Sequence, residues 1–367
     1  MLGTGRVASR NDVIDAFRGV AILSVVAFHY LVRWAPPHSA TNIYGYHQYF
    51  PALFSIGGYG VHLFFVISGL VITMTARRSG GPLEFGVLRF ARLYPAFLVG
   101  MSLTMIVTSL ADVQTFKTTL VDVPANLIML AADLNRTYID GAYWSLAVEI
   151  KFYFFVIIGI WLFRDDFWKP IAALAIVGCL IRFNWASESG HVDKALIAKF
   201  MPLFLLGMGG WFLIFEKRVY PGWVLLGLGL ILYPMVAESY ADQFANMWLV
   251  NAYILTLTAL MFLLLWKMPG VRLWPLAWIG RISYSLYLIH QFVGVIMIRW
   301  FVAHGFPDID AALFTTCVCT GIAAAMFYAV EVPGKMLIMN TFAWARENFR
   351  PKSSEASNDQ RRFWRRQ

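Results

Sequence analysis

Runs of roughly twenty mostly apolar residues recur along the chain, and a helix needs about that many to cross roughly 30 Å of hydrocarbon. They fall at 14–32, 54–75, 96–110, 143–163, 171–183, 200–215, 223–236, 248–266, 277–301 and 311–330. Those at 96–110, 171–183 and 223–236 are the shortest. No run alternates polar and apolar residues over ten positions, which argues against an outer-membrane barrel. Apolar residues make up 59% of the 367 and charged residues 14%, against roughly 45–50% and about 25% in a soluble domain. A soluble chain this apolar could not cover its surface with polar groups. The expected fold class is all-α: a polytopic transmembrane helical bundle of about ten spans.

The formal net charge is +9, and its placement sets an orientation. With the N-terminus inside and each run crossing once, the inner side holds 22 of the 30 Lys and Arg residues, eight of them after Val330. The outer side holds seven: Arg33, Lys117, Arg136, Arg182, Lys194, Lys199 and Arg299. Lys151 lies within a run. This split follows the positive-inside rule and predicts both termini to be cytoplasmic. The basic balance thus reports topology, not nucleic-acid binding. The tail segment 361–366, two arginine pairs around Phe363 and Trp364, suits anionic lipid. Cys179, Cys317 and Cys319 all lie in apolar runs and read as small core residues, not disulfides or metal ligands. No cleavage signature follows the first run, so it is expected to be kept as a span. Residues 1–335 form one membrane domain and 336–367 a basic cytoplasmic tail. The segment 77–95 reads as an interfacial helix, with Pro95 in the first turn of the next span. The piece 123–134 reads as amphipathic, on the outer surface.

Ionisable groups inside spans are costly and mark functional sites. Arg18 and His29 are eleven residues apart, three turns plus roughly 20° at about 100° per residue, so they share a helix face. Their separation along the axis is about 16 Å at 1.5 Å per residue. A cation able to hold a phosphate or carbonyl and an imidazole able to move a proton thus lie on one stripe. A snorkelling arginine and a helix-bridging histidine would give the same pattern. Glu149 and Lys151, two apart, do not face each other. Glu149 is expected to find a partner among Arg18, Arg89, Arg92 and Arg281. Arg89 and Arg92, three apart, present two guanidiniums that suit a phosphate ligand or lipid headgroups. Tyr284, Tyr287 and His290 follow at steps of three, as chemistry or as packing. His62 heads an apolar run and can line a pocket. His38, His47, His191 and His304 fall in outer loops and read as ordinary.

These stretches, in this order, resemble the acyltransferase 3 family. The matching residues are Asp15-Ala-Phe-Arg18 through His29, Phe64-Phe-Val-Ile-Ser68-Gly69, Arg89-Phe-Ala-Arg92-Leu-Tyr-Pro95, Trp144-Ser-Leu-Ala-Val-Glu149, Ile282-Ser-Tyr284-Ser-Leu-Tyr287-Leu-Ile-His290 and Glu331-Val-Pro333. The likeness runs from about residue 10 to 335. His62 departs from it, standing where relatives often carry an acidic residue, and so does Ile150-Lys151, where a polar uncharged pair is usual. Both bear on substrate choice.

The resemblance implies transfer of an acyl group, with acetyl favoured, from cytoplasmic acyl-CoA to a hydroxyl of a cell-surface carbohydrate or glycolipid. It implies a multi-pass protein of the bacterial inner membrane, in contact with membrane lipids. His29 would be the catalytic base, with Glu149 and Ser68 supporting it. Arg18, Arg89, Arg92 and Tyr287 would bind the donor, and Asp15, Trp144 and His290 the acceptor. Ser68, Trp144 Nε1 and Tyr287 are candidate oxyanion donors. Acyl-CoA (acetyl-CoA) is the expected co-substrate, with no metal and no nucleic-acid partner; the sequence fixes no oligomeric state. The rival reading is a transporter or flippase for a glycan or glycolipid, against which stands the lack of inverted repeats or paired broken helices.

Overall fold

A computed structural model describes residues 11–33, 51–111, 116, 118–185, 194–236 and 246–348. Its elements are helices, with no strand among the described residues. Those of twelve residues or more are α1 (Asp12–Phe28), α2 (Gly60–Arg78), α3 (Pro82–Ala111), α4 (Trp144–Phe163), α5 (Trp168–Trp185), α6 (Met201–Ile214), α7 (Val219–Val236), α8 (Met247–Lys267), α9 (Leu276–Ile289), α10 (Phe292–Ala303), α11 (Asp308–Met326) and α12 (Val332–Asn348). The tail at 361–366 and His38, His47 and His191 lie outside the described residues.

Eight helical stretches are long and apolar enough to cross a membrane, and the bent pair α9–α10 makes nine. Large apolar side chains point outward along them: Trp248 is 83% exposed, Leu110 81% and Trp161 70%. Only a lipid surround makes such a surface stable. The protein is an integral membrane protein. The run 171–183 becomes α5, which has the length of a span but carries Lys169, Arg182 and Asn184 within it.

Ion pairs show which helix ends lie together. Arg77, at the end of α2, pairs with Asp165 just after α4 and, at 2.6 Å, with Glu216 just after α6. Lys151, near the start of α4, reaches Asp133 at 2.5 Å and the Lys194 carbonyl, before α6, at 3.0 Å. α5 is not among the stretches that pass as spans by length and composition.

Three expectations are corrected. Residues 77–95 form no separate interfacial helix: α3 runs unbroken for 30 residues with Pro95 in its interior, where it forgoes one backbone hydrogen bond. The run 277–301 is not one straight span; it breaks by 78° between α9 and α10. The run 311–330 does not stop at the hydrocarbon boundary but continues into α12, and Asp308–Asn348 is 41 residues of helix.

Close packing of α1 on α9 sets up the interior. A Cβ on Gly280 would overlap the Asp15 carbonyl, and one on Gly19 the Leu276 carbonyl. Bare backbone on both helices allows the near approach typical of membrane helix pairs. Arg281 reinforces it, 3.0 Å from Asp12 and 3.6 Å from Asp15.

Candidate active site

Between α1, α2, α3, α4 and α9 lies a narrow cavity of about 90 Å³. Arg18, Ser68, Arg89, Arg92, Glu149 and Tyr287 all line it, with Ser145, Tyr153 and Tyr284 among their neighbours. Six of the ten residues singled out from sequence thus meet in one place, contributed by five helices.

The three guanidiniums differ in what holds them. Arg92 is ion-paired with Glu331, whose other oxygen accepts from Ser285 at 3.0 Å, and it lies over the Tyr284 ring at 5.1 Å. Arg89 is buried and donates to the Val71 carbonyl at 3.1 Å and to Thr75 Oγ1, beside the Phe85 and Tyr153 rings. Arg18, half-buried, makes no hydrogen bond or ion pair among the described residues. It differs in this from Arg89 and Arg92, each of which has at least one donor engaged by the protein.

Glu149 does not take an arginine as its direct partner, as its sequence context suggested. Its Oε1 accepts from Tyr153 at 2.6 Å and from Ser68 at 3.2 Å. The arginines act on it across the cavity. Hydroxyls satisfy the carboxylate locally, so it needs no salt bridge to remain in the membrane interior. Arg281, the other expected partner, is held by Asp12 and Asp15 instead.

His29 does not line this cavity. It sits beyond Tyr287, reached through His290: Tyr287 and His290 have ring centroids 5.3 Å apart, and His290 and His29 4.9 Å apart with rings at 77°. His29 opens a π turn, His29–Arg33, a feature common at functional sites. Its Nδ1 lies 2.9 Å from the Val25 carbonyl. A carbonyl only accepts, so Nδ1 carries the hydrogen and the neutral ring presents its lone pair at Nε2. His290 is arranged alike, with Nδ1 2.8 Å from the Tyr287 carbonyl. Its Nε2 is buried without a partner.

Asp15, Trp144 and His62 fall outside the cavity, and Tyr287, which lines it, has its hydroxyl engaged. Asp15 is buried against Arg281. Trp144 packs between Phe65 and Phe200, at 6.2 and 5.3 Å. The Tyr287 hydroxyl is committed to the Ala142 carbonyl at 2.8 Å and lies 2.7 Å from Ser145 Oγ. His62 turns away from the cavity, its Nδ1 3.0 Å from the Tyr233 hydroxyl. Glu331 was not among the sequence candidates, although a lone carboxylate closing an apolar run was a usable signal.

A family model described as an acyltransferase domain, that of the acyltransferase 3 family, matches residues 11–330. The chain belongs to the acyltransferase 3 family. No curated protein and no solved structure matches it.

Proposed function

We propose that the protein is a membrane O-acyltransferase that moves an acyl group, acetyl in the first instance, from cytoplasmic acyl-CoA to a hydroxyl of a cell-surface carbohydrate or glycolipid. One observation carries this reading: the unpartnered Arg18 guanidinium and the Nε2 lone pair of His29 lie on one helix, joined by the cavity and the Tyr287–His290 stack. The donor's phosphates bind at Arg18, with Arg89 and Arg92 adding to the field, while its uncharged arm lies along the cavity. His29 Nε2 takes the proton of the acceptor hydroxyl. The oxygen attacks the thioester carbonyl, and Ser68, whose 3.2 Å bond to Glu149 is long, donates to the developing oxyanion. The tetrahedral intermediate collapses with loss of the CoA thiolate, which receives the proton from His29.

Ten crossings with both ends cytoplasmic, in a bacterial inner membrane, fit this reading. Eight spans, the α9–α10 pair and α5 make ten, and the basic residues then gather on the donor side.

Purified protein in detergent, supplied with labelled acetyl-CoA and membrane glycans, should transfer label. His29→Ala should lower the rate by about 10²–10⁴, the usual effect of removing a general base. Full activity of folded His29→Ala would overturn the assignment. Label retained on His29 without acceptor would instead indicate an acyl-enzyme. The broken α9–α10 pair favours one other reading, transport, since transporters use interrupted helices. A transporter would transfer nothing in detergent.

A further inference from the structure

The break between α9 and α10 frees backbone groups deep in the protein, and each must find a new partner because lipid supplies none. In an unbroken helix the Leu288 carbonyl would accept from the Phe292 N–H, and the His290 carbonyl from the Gly294 N–H. Here the Tyr143 hydroxyl donates to the Leu288 carbonyl at 3.1 Å. Asp140 takes the Phe292 N–H on Oδ2 at 3.0 Å, and its Oδ1 accepts from Ala142 N at 2.9 Å. On the other side of the break, the Tyr30 hydroxyl donates to the His290 carbonyl at 2.7 Å. Gly294 makes room for it, since a Cβ there would overlap the Tyr30 hydroxyl. Asp140 is 0% exposed and Tyr30 1%, so water cannot substitute for either. These contacts join three parts of the chain: the π turn that carries His29, the loop entering α4, and the break that carries His290.

We propose that Asp140 is a positioning residue for acyl transfer: with Tyr143 and Tyr30 it locks the α9–α10 break and so fixes the His290 ring against His29. This rests on His29 acting as base. The carboxylate is suited to the task for two reasons. It accepts from the heads of two helical elements at once, α10 and the turn Gly141–Tyr143 that leads into α4. It also reaches the first backbone N–H of α10, a group that has no partner inside its own helix. Among the described residues Arg18 makes no hydrogen bond or ion pair with this clamp; the cavity meets it at Tyr287, whose hydroxyl donates to the Ala142 carbonyl.

The test compares Asp140→Asn, Tyr30→Phe, the double variant and His29→Ala, all purified in detergent. Asn can accept through only one oxygen, leaving one N–H unmatched; Phe keeps the Tyr30 ring and loses only its hydroxyl. Each single variant is expected to lower kcat by about 10²-fold, the scale of an ångström-level misplacement, with KM for acetyl-CoA unchanged. Hydrogen exchange of the 290–294 amides should rise. The double variant should lose much less than the product of the two single losses, because both act on one joint. Exchange that rises while kcat stays at the wild-type value overturns the proposal, as does a rise in KM equal to the fall in kcat. If Asp140→Asn fails to fold, Tyr30→Phe alone decides by the same kcat criterion. An inactive His29→Ala beside fully active clamp variants removes the clamp and keeps the base. An active His29→Ala beside impaired clamp variants removes the base and overturns the proposal as stated.

Discussion

Arg18→Gln offers the sharpest separation of binding from folding. The side chain has no hydrogen bond or ion pair among the described residues, so its removal leaves no buried partner stranded, and the stability change should stay within about 0.5 kcal/mol. What is lost is a charge-assisted bond to the donor, about 1.5–3 kcal/mol for a hydrogen bond to a charged group. At about 1.4 kcal/mol per factor of ten, that is roughly a 10- to 150-fold rise in KM or Kd for acetyl-CoA. The assay is titration of labelled acetyl-CoA onto purified wild type and variant, with thermal melting in parallel. Wild-type donor affinity in a folded Arg18→Gln protein would refute the reasoning, since Arg18 is the cavity guanidinium without a hydrogen bond or ion pair of its own among the described residues. A large fall in melting temperature would equally refute it, by showing that Arg18 is structural.

Arg92→Gln should behave in the opposite way: it strands the 5%-exposed Glu331 and should destabilise by about 3–5 kcal/mol, as breaking a buried pair does, with recovery in the Arg92→Gln/Glu331→Gln double variant, read by detergent-resistant melting. Gly280→Ala pushes a methyl group into the Asp15 carbonyl and should cost about 1–3 kcal/mol by overpacking, seen as a lower melting temperature and a looser α1–α9 contact in cysteine cross-linking. In the loop before α4, two bonds from Thr119 and one from Thr137 hold the Asp122 carboxyl below its usual value. Its stabilising contribution is present above the unfolded-state value, about 3.9, and is lost as pH falls through the lower folded-state value. Hydrogen exchange over 118–139 should therefore rise below about pH 4, and Asp122→Asn should show the faster exchange already at neutral pH.

Much of the cavity was legible in the sequence for a simple reason: a polar side chain in an apolar run must face something other than lipid. Arg18 and Glu149 stood out on that ground, Arg89 and Arg92 as a paired basic face, Tyr287 by its spacing with Tyr284 and His290, and Ser68 through the family resemblance, and all six line one space. How they pair was not legible. Glu149 is satisfied by the hydroxyls of Ser68 and Tyr153; Tyr153, four residues on along the same helix, was a readable neighbour, whereas Ser68 comes from another helix that local spacing does not reach. The break after Ile289 carries no proline or glycine, because its causes are distant: Asp140, Tyr143 and Tyr30 draw the freed groups apart. Pro95 misled in the opposite sense, since packing against α12 through Gly334 keeps α3 continuous across it. Trp144, expected as an oxyanion donor, has its ring against Phe65 and Phe200 and does not line the cavity.

The unbroken helix from Asp308 to Asn348 also works as a depth gauge. About 20 residues cross the hydrocarbon, so a helix entering at Asp308 emerges near residue 328, about one turn before Glu331. The Arg92–Glu331 pair therefore lies near one end of that length, and there it is protein rather than lipid that shields it, since Glu331 is 5% exposed. On the proposed reading, only the uncharged part of the donor would have to pass deeper along the cavity.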